Sequence, residues 1–410
     1  METRINLQTQ FDGDLIAKEV PTERILELIL NAPLSSVSNS RPSLNLAVVI
    51  DRSGSMQGAK LEYVKRAAVH VLDLLTERDQ VALVIYDSEV ELLSPSIAMA
   101  PGNRVTLTRK IQQVTARSST NLGGGWLQGC QEVALAAREG DLNRVLLLTD
   151  GLANVGITDL EELGIHAGQL LERGVSTSTF GVGLDFNEYL MENMANQGGG
   201  RFYFIEDPAS IPAIFEQEFQ SLSTVTASHI QLALTIPNGV SAQVLGSWRN
   251  ELEGEKLVVM LGDLAAGLKR EIYIRLLTPP QKKQTYLSIP VTLNAHDETG
   301  QSYSLEQILS LSYASQPKVS AMDQRKDVMA RYSEVLLADQ ASEALKLERA
   351  GEREKARRLM DASILSSSPH TCSKIREDYQ HLSERLARGL DEQDRKDRHQ
   401  EEYIRKQRRR

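Results

Sequence analysis

The chain has 410 residues, 41% of them apolar and 25% charged, with a formal net charge of -9 at pH 7. That length allows two or three domains with ample core, and the composition is that of a soluble globular protein. The negative balance excludes a chain that binds nucleic acid through overall basicity. The two cysteines, Cys130 and Cys372, match no metal or redox spacing. So few thiols fit a reducing compartment, with one disulfide as the alternative. The N-terminal METRINLQTQFDGDL has no apolar core of the kind a signal peptide needs. No run approaches the roughly 18 apolar residues of a membrane helix. A cytoplasmic protein is expected.

Residues 1–43 are expected to form short strands between turn-rich segments, with RILELILN strongly apolar. NAPLSSVSNSRPS, with two prolines and five serines, reads as a loop. From Leu44 the pattern changes: apolar runs such as LNLAVVI, DQVALVIYD and NRVLLLTD alternate with amphipathic helical stretches such as AKLEYVKRAAVHVLDLLTE. A helix is expected near 105–115, and VSTSTFGVG and RFYFI read as further strands before a closing helix at 211–222. Strands alternating with helices imply a mostly parallel sheet covered on both faces. After about residue 225, HIQLALTI, KLVVML, REIYIRLL, TYLSIPVTLNA and QSYSLEQILSLSY alternate apolar and polar residues between turns, as half-buried strands do. Five strands make a thin sandwich. We therefore expect the N-terminal strands to join them, which inserts the α/β unit into a β-sandwich built from both flanks. Residues 319–410 show helical spacing, with two or three helices before Gly389. The mixed-charge end, DEQDRKDRHQEEYIRKQRRR, reads as a solvated, frayed helix. The expected divisions are 1–43, 44–222, 223–318 and 319–410.

Three loops of the α/β unit are rich in oxygen. VVIDRSGSM places Asp51, Ser53 and Ser55 just past an apolar strand, ARSSTNLGGGWL supplies Thr120, and LLLTDGLAN ends a strand in Asp150. In a parallel α/β sheet such loops gather at the carboxyl ends of the strands, where ligands bind. Two carboxylates and three hydroxyls, without sulfur or histidine, suit Mg²⁺, Mn²⁺ or Ca²⁺ and argue against Zn²⁺ or copper. With so little negative charge around it, a cation held there would welcome one more anionic oxygen from outside.

DRSGSM, SSTNLGGG and LLLTDGLANVG resemble the D-x-S-x-S, Thr and Asp segments of the von Willebrand factor type A (VWA) domain. In that family these segments form the metal-ion-dependent adhesion site (MIDAS). The similarity extends over about residues 44–222, since STFGVGLDFNEYLMENMANQGGGRFYFIEDPASIPAIF also reads like the family's last third. The resemblance implies a Rossmann-like fold in which Ser53 and Ser55 ligate a metal directly. It implies that Thr120 ligates directly or through water, while Asp51 and Asp150 act mainly through water or supporting hydrogen bonds. A carboxylate of a partner protein would fill the remaining position, with Mg²⁺ the expected ion and Mn²⁺ or Ca²⁺ the alternatives. The resemblance also points to AAA+ ATPases or assembly complexes as partners.

Simpler readings compete at each position. D-x-S-x-S could merely cap the following helix, an explanation that loses force once Thr120 and Asp150 are counted. Asp87, in VIYDSEV, reads as an ordinary strand-end or turn residue, with an acid that supports the site from behind as the alternative, and the glycines 123–125 lack the Gly-Lys-Ser/Thr of a phosphate-binding loop. None of the seven histidines falls on the three loops. The competing functional class is a metal-dependent hydrolase or phosphatase, which needs a second positioned base or nucleophile. Two residues after Asp51 stands Ser53, so a binding module without catalysis is the expectation.

Overall fold

The computed structural model describes residues 4–34, 42–117 and 119–407. Most of the serine-rich loop, at 35–41, lies outside them, as do Ser118 and the last three arginines. Three strands come first: β1 (Asn6–Phe11), β2 (Leu15–Ala17) and β3 (Thr22–Asn31). β3 is so apolar because both of its faces are covered. Leu26, Leu28 and Leu30 enter the sandwich interior, while Ile25 packs under a C-terminal helix with Val328 and Tyr332.

The α/β unit follows in the order β4 (Leu44–Asp51), α1 (Ala59–Leu74), β5 (Gln80–Tyr86), β6 (Val90–Ala98), α2 (Pro101–Gln112) and α3 (Leu122–Ala136). It continues with β7 (Leu142–Thr149), α4 (Leu160–Glu172), β8 (Val175–Val182), α5 (Glu188–Gln197), β9 (Gly199–Ile205) and α6 (Ile211–Ser223). The strand order is β6-β5-β4-β7-β8-β9, parallel except for β6. Successive strands run outward in opposite directions from β4, so the carboxyl end of β4 is the point where ligands bind in such sheets. Val64, Val71 and Phe215 cover one face of the sheet; Trp126, Leu163 and Met191 cover the other. β6 was not anticipated. It is an antiparallel edge strand with an irregular register and a proline at Pro95, and edges tolerate proline because one side of the strand needs no partner.

The chain then returns to the sandwich with β10 (Val225–Thr235), β11 (Ser241–Leu245), β12 (Arg249–Glu253), β13 (Lys256–Ala265), β14 (Lys269–Thr278), β15 (Tyr286–Asp297) and β16 (Ser302–Ala314). One sheet has the order β1-β3-β14-β11 and the other β12-β13-β10-β15-β16-β2. β3 pairs with β14 along its whole length, from Thr22 opposite Thr278 to Asn31 opposite Lys269. Both flanks of the α/β unit therefore build one sandwich, as expected. β11 and β12 are additions to the expected strands; both are short, polar sheet edges whose side chains carry little burial pattern to read.

The tail holds α7 (Gln316–Ser320), α8 (Lys326–Arg349), α9 (Arg353–Ser366), α10 (Ser373–Arg388) and α11 (Glu392–Gln407). Leu337, Leu345, Met360 and Leu382 form a core among α8, α9 and α10. α11 corrects the expectation of a solvated, frayed helix: Lys396, His399, Glu402, Tyr403 and Lys406 are all buried. A charged helix can be buried when its charges find partners, and pairing across the fold leaves no mark in local hydropathy. Cys130 is buried and Cys372 exposed, and both are free. Among the described residues no helix is long and apolar enough to cross a membrane.

Candidate functional site

β4 is buried at every position because it lies between β5 and β7, and it delivers Asp51 to the rim with its carboxylate fully buried. The chain turns there at once. The Ser53 amide donates to Asp51 Oδ1 at 2.7 Å, and Gly54–Met56 make one 3₁₀ turn that drives Met56 into the core. Gly58, at φ +87°, redirects the backbone into α1, a geometry that favours glycine. This turn leaves Ser55 facing the end of β7. Its hydroxyl donates to Asp150 Oδ1 at 2.7 Å and lies 3.1 Å from the Ser53 hydroxyl. Thr149 Oγ1 donates to Asp51 Oδ2 at 2.6 Å, which locks the two strand ends together.

The third loop is tied in through backbone. The Thr120 carbonyl accepts from the amides of Asn154 and Val155, at 3.0 and 3.2 Å, and so holds the Thr120 loop against the segment after Asp150. Gly151 marks where the loops meet. A methyl group on its Cα would lie 3.4 Å from Thr120 Oγ1, 3.6 Å from Ser55 Oγ and 4.0 Å from Asp51 Oδ2. All five residues singled out in the sequence thus come together on one rim, three of them aiming oxygens at a single point that a glycine leaves open.

Two carboxylates without solvent make the site electrostatically tense. Burial pushes the Asp51 carboxyl up to about 6; hydrogen bonds from Ser53 and Thr149 pull it down, while the neighbouring Asp150 adds to the rise. Asp150, also fully buried, receives the ammonium of Lys60 at 2.5 Å on Oδ2.

Sequence reasoning missed Lys60 and Arg52, and held a supporting role for Asp87 only as the alternative. Asp87 is a buried brace rather than an ordinary strand end. Its carboxylate accepts from Arg52 Nε at 2.8 Å and from the Glu89 amide at 2.8 Å, and its carbonyl accepts from the Asn121 amide at 2.7 Å. The Arg52 carbonyl in turn accepts from the Arg117 amide at 2.7 Å. These contacts bind the Ser53 and Thr120 loops to the end of β5. One signal could have exposed Lys60: it stands in the first turn of α1, where the positive end of the helix disfavours a cation unless an acid waits nearby.

No histidine joins the rim loops: His70 pairs with Glu216 on α6, and His399 is buried beside Glu192 of α5. Among the described residues, no group of three or more His, Cys, Asp or Glu is placed to hold a metal. Any ion on this rim would depend on hydroxyl oxygens as well as carboxylates.

The family model for the von Willebrand factor type A domain matches residues 45–217. The uncharacterized protein YfbK of Escherichia coli (strain K12) is 28% identical over 298 residues, 71% of this chain and 48% of that protein. Human inter-alpha-trypsin inhibitor heavy chain H4 is 26% identical over 224 residues, 52% of this chain and 24% of that one. The chain spans about half or less of the length of these curated relatives. Among solved structures, a von Willebrand factor type A protein from Catenulispora acidiphila superposes with a TM-score of 0.77 at 16% identity, over 98% of this chain and 96% of that one. The ArnB paralog VWA2 from Sulfolobus acidocaldarius follows with a TM-score of 0.67 at 18% identity, covering 97% and 98% of the two chains. At those identities the likeness concerns the fold, and it extends to the sandwich and the tail. The family is known for protein–protein interaction and metal-dependent adhesion. Residues 45–217 of this chain are a von Willebrand factor type A domain.

Proposed function

We propose that the rim is a divalent-cation-dependent adhesion site that captures an Asp or Glu side chain of a partner protein. The observation that carries this reading is the convergence of Thr120, Ser55 and Asp51 oxygens on the space beside Gly151, next to the second buried carboxylate, Asp150. An all-oxygen donor set fits Mg²⁺, with Mn²⁺ or Ca²⁺ as alternatives. A bound ion would offer a positive pole with a position for one outside carboxylate oxygen. Ser53 and Ser55 serve as direct ligands in this reading, and Thr120 as a direct or water-linked one. Asp51 and Asp150 orient hydroxyls and water, as the Asp51–Thr149 and Asp150–Ser55 hydrogen bonds already do. The Asp87–Arg52 brace keeps the loops from separating when a partner pulls on the site. The sandwich and helical tail present this surface, and by family resemblance an AAA+ ATPase or an assembly complex is the kind of partner to search for.

The hydrolase alternative needs a base or nucleophile positioned beside the bound group. Calorimetric titration of Mg²⁺, Mn²⁺ and Ca²⁺ into chelator-treated protein, with and without a short carboxylate, tests the proposal against Asp51→Ala. One saturable site that tightens with carboxylate and is absent from the variant supports it. Equal heats in both proteins would reject it.

A further inference from the structure

In the adhesion-site reading Asp150 orients Ser55 and water around an incoming ion, yet its other oxygen is already held by a cation of the chain itself. Oδ1 accepts from Ser55 at 2.7 Å, and Oδ2 lies 2.5 Å from Lys60 Nζ. Asp150 is fully buried, so this ammonium is the counter-charge of a carboxylate that water does not reach. α1 gives Lys60 no reason of its own to be there, because a cation in the first turn faces the positive end of the helix dipole. Its placement is explained by Asp150.

A second carboxylate stands within reach. Asp185 Oδ2 is 3.9 Å from the same Nζ and its side chain is 77% exposed. Gly183, at φ +77°, lies against the end of this side chain: a methyl group there would be only 3.3 Å from both Cε and Nζ of Lys60. Glycine there leaves the lysine stem room to lie across the backbone. A four-carbon stem carrying a point charge is suited to swing between such acceptors.

We infer that Lys60 is a tethered cation that holds Asp150 in the cation-free protein and must release it, moving to Asp185, before a divalent ion is accommodated; this rests on the adhesion-site reading. Two like charges a few ångströms apart repel strongly in a poorly solvated site, so Lys60 sets the affinity of the site. It lowers cation occupancy at rest and keeps the buried Asp150 compensated without one.

The test uses the full chain after chelator treatment. Mg²⁺ is titrated calorimetrically into wild type, Lys60→Gln, Lys60→Arg, Asp185→Asn and the Lys60→Gln/Asp185→Asn double variant, and melting is followed with and without Mg²⁺. Lys60→Gln is expected to bind Mg²⁺ about tenfold more tightly, on the order of one like charge removed from the site, whereas Lys60→Arg keeps the charge and stays near wild type. Without cation Lys60→Gln melts below wild type, and saturating Mg²⁺ closes the gap. Asp185→Asn weakens binding in the wild-type background and has little effect once Lys60 is gone. Wild type that binds Mg²⁺ beside a Lys60→Gln that binds it no more tightly overturns the inference and leaves the adhesion site standing. Equal weakening by Asp185→Asn in both backgrounds overturns the swing to Asp185. Absence of binding in wild type and Lys60→Gln alike overturns the inference and the adhesion-site reading together. Binding by Lys60→Gln alone supports the inference in its strongest form. Should Lys60→Gln fail to fold, Lys60→Met carries the same expectation.

Discussion

Lys406 of α11 places its ammonium 2.8 Å from Oε1 of Glu192 on α5, with both side chains buried. The same carboxylate receives the Ser247 hydroxyl at 3.0 Å, and its other oxygen lies 2.7 Å from His399 Nε2. Ser247 belongs to the segment between β11 and β12, so one glutamate joins the VWA domain, the sandwich and the last helix. The tail is fastened to the rest of the chain by charge as much as by apolar packing.

Removing that carboxylate would take from the buried Lys406 ammonium its ion-pair partner at 2.8 Å, leaving only the more distant Asp339 and Glu402. Glu192→Gln is expected to lower unfolding stability by about 3–5 kcal/mol, the usual cost of breaking one partner of a buried pair. Urea titration measures it. A Glu192→Gln/Lys406→Met double variant should recover part of the loss, and a double variant as unstable as the sum of its parts would deny the coupling.

Acid should loosen the same joint. Burial raises the Glu192 carboxyl, but Lys406 and then His399 overcome that effect and hold it far below the usual carboxylate range. Glu188 is likewise lowered, its burial outweighed by Lys396 of α11. A carboxyl depressed in the folded state stabilises fully above its unfolded value, about 4.3, and loses that contribution as the pH falls below it. The contribution of these two carboxyls is therefore expected to be complete above about pH 4 and to fall away below it. Glu192→Gln should show a shallower acid slope, and identical slopes would place the acid sensitivity elsewhere.

Gly151→Ala separates the rim from the fold. The added methyl would sit 3.4–4.0 Å from Thr120, Ser55 and Asp51, an ordinary packing distance, but in the space where their oxygens converge. The variant is expected to melt within about 1 kcal/mol of wild type, as substitutions without a clash or a lost partner do, and to lose Mg²⁺ binding. Retained binding would move the ion away from Gly151.

Arg144 joins three elements from β7. Its Nη1 lies 2.9 Å from Glu218 of α6, its Nη2 2.9 Å from Asp263 of β13, and its Nε donates to Ser176 at 2.9 Å. Arg144→Met should cost about 3–5 kcal/mol, because the buried Glu218 loses one of the two guanidiniums that lower its carboxyl, Arg201 remaining. Adding Glu218→Gln is expected to restore part of it, as read from melting curves.

Much of this protein could be read locally. The buried strands of the α/β unit announce themselves as apolar runs, and the sandwich strands by alternation, because each pattern reports which faces lie against neighbours. β6, β11 and β12 escaped because edge strands have less to bury. The five rim oxygens were legible because their loops follow recognisable strands, and a parallel sheet brings such loops to one end whatever their distance in sequence.

What the tertiary structure alone decided is pairing. Lys406 and Glu192 are 214 positions apart, Lys60 and Asp150 are 90, and nothing in either local segment names the other. A charged helix reads as solvated until its partners are known, which is why α11 looked free and is buried. The sequence by itself determined the fold class and the oxygen-rich loops, since hydrophobic periodicity and short-range turn chemistry are encoded residue by residue. Which charges are compensated, and by whom, depends on three-dimensional neighbours, and so the tail's attachment and the guarding of Asp150 by Lys60 emerged only when the chain was folded.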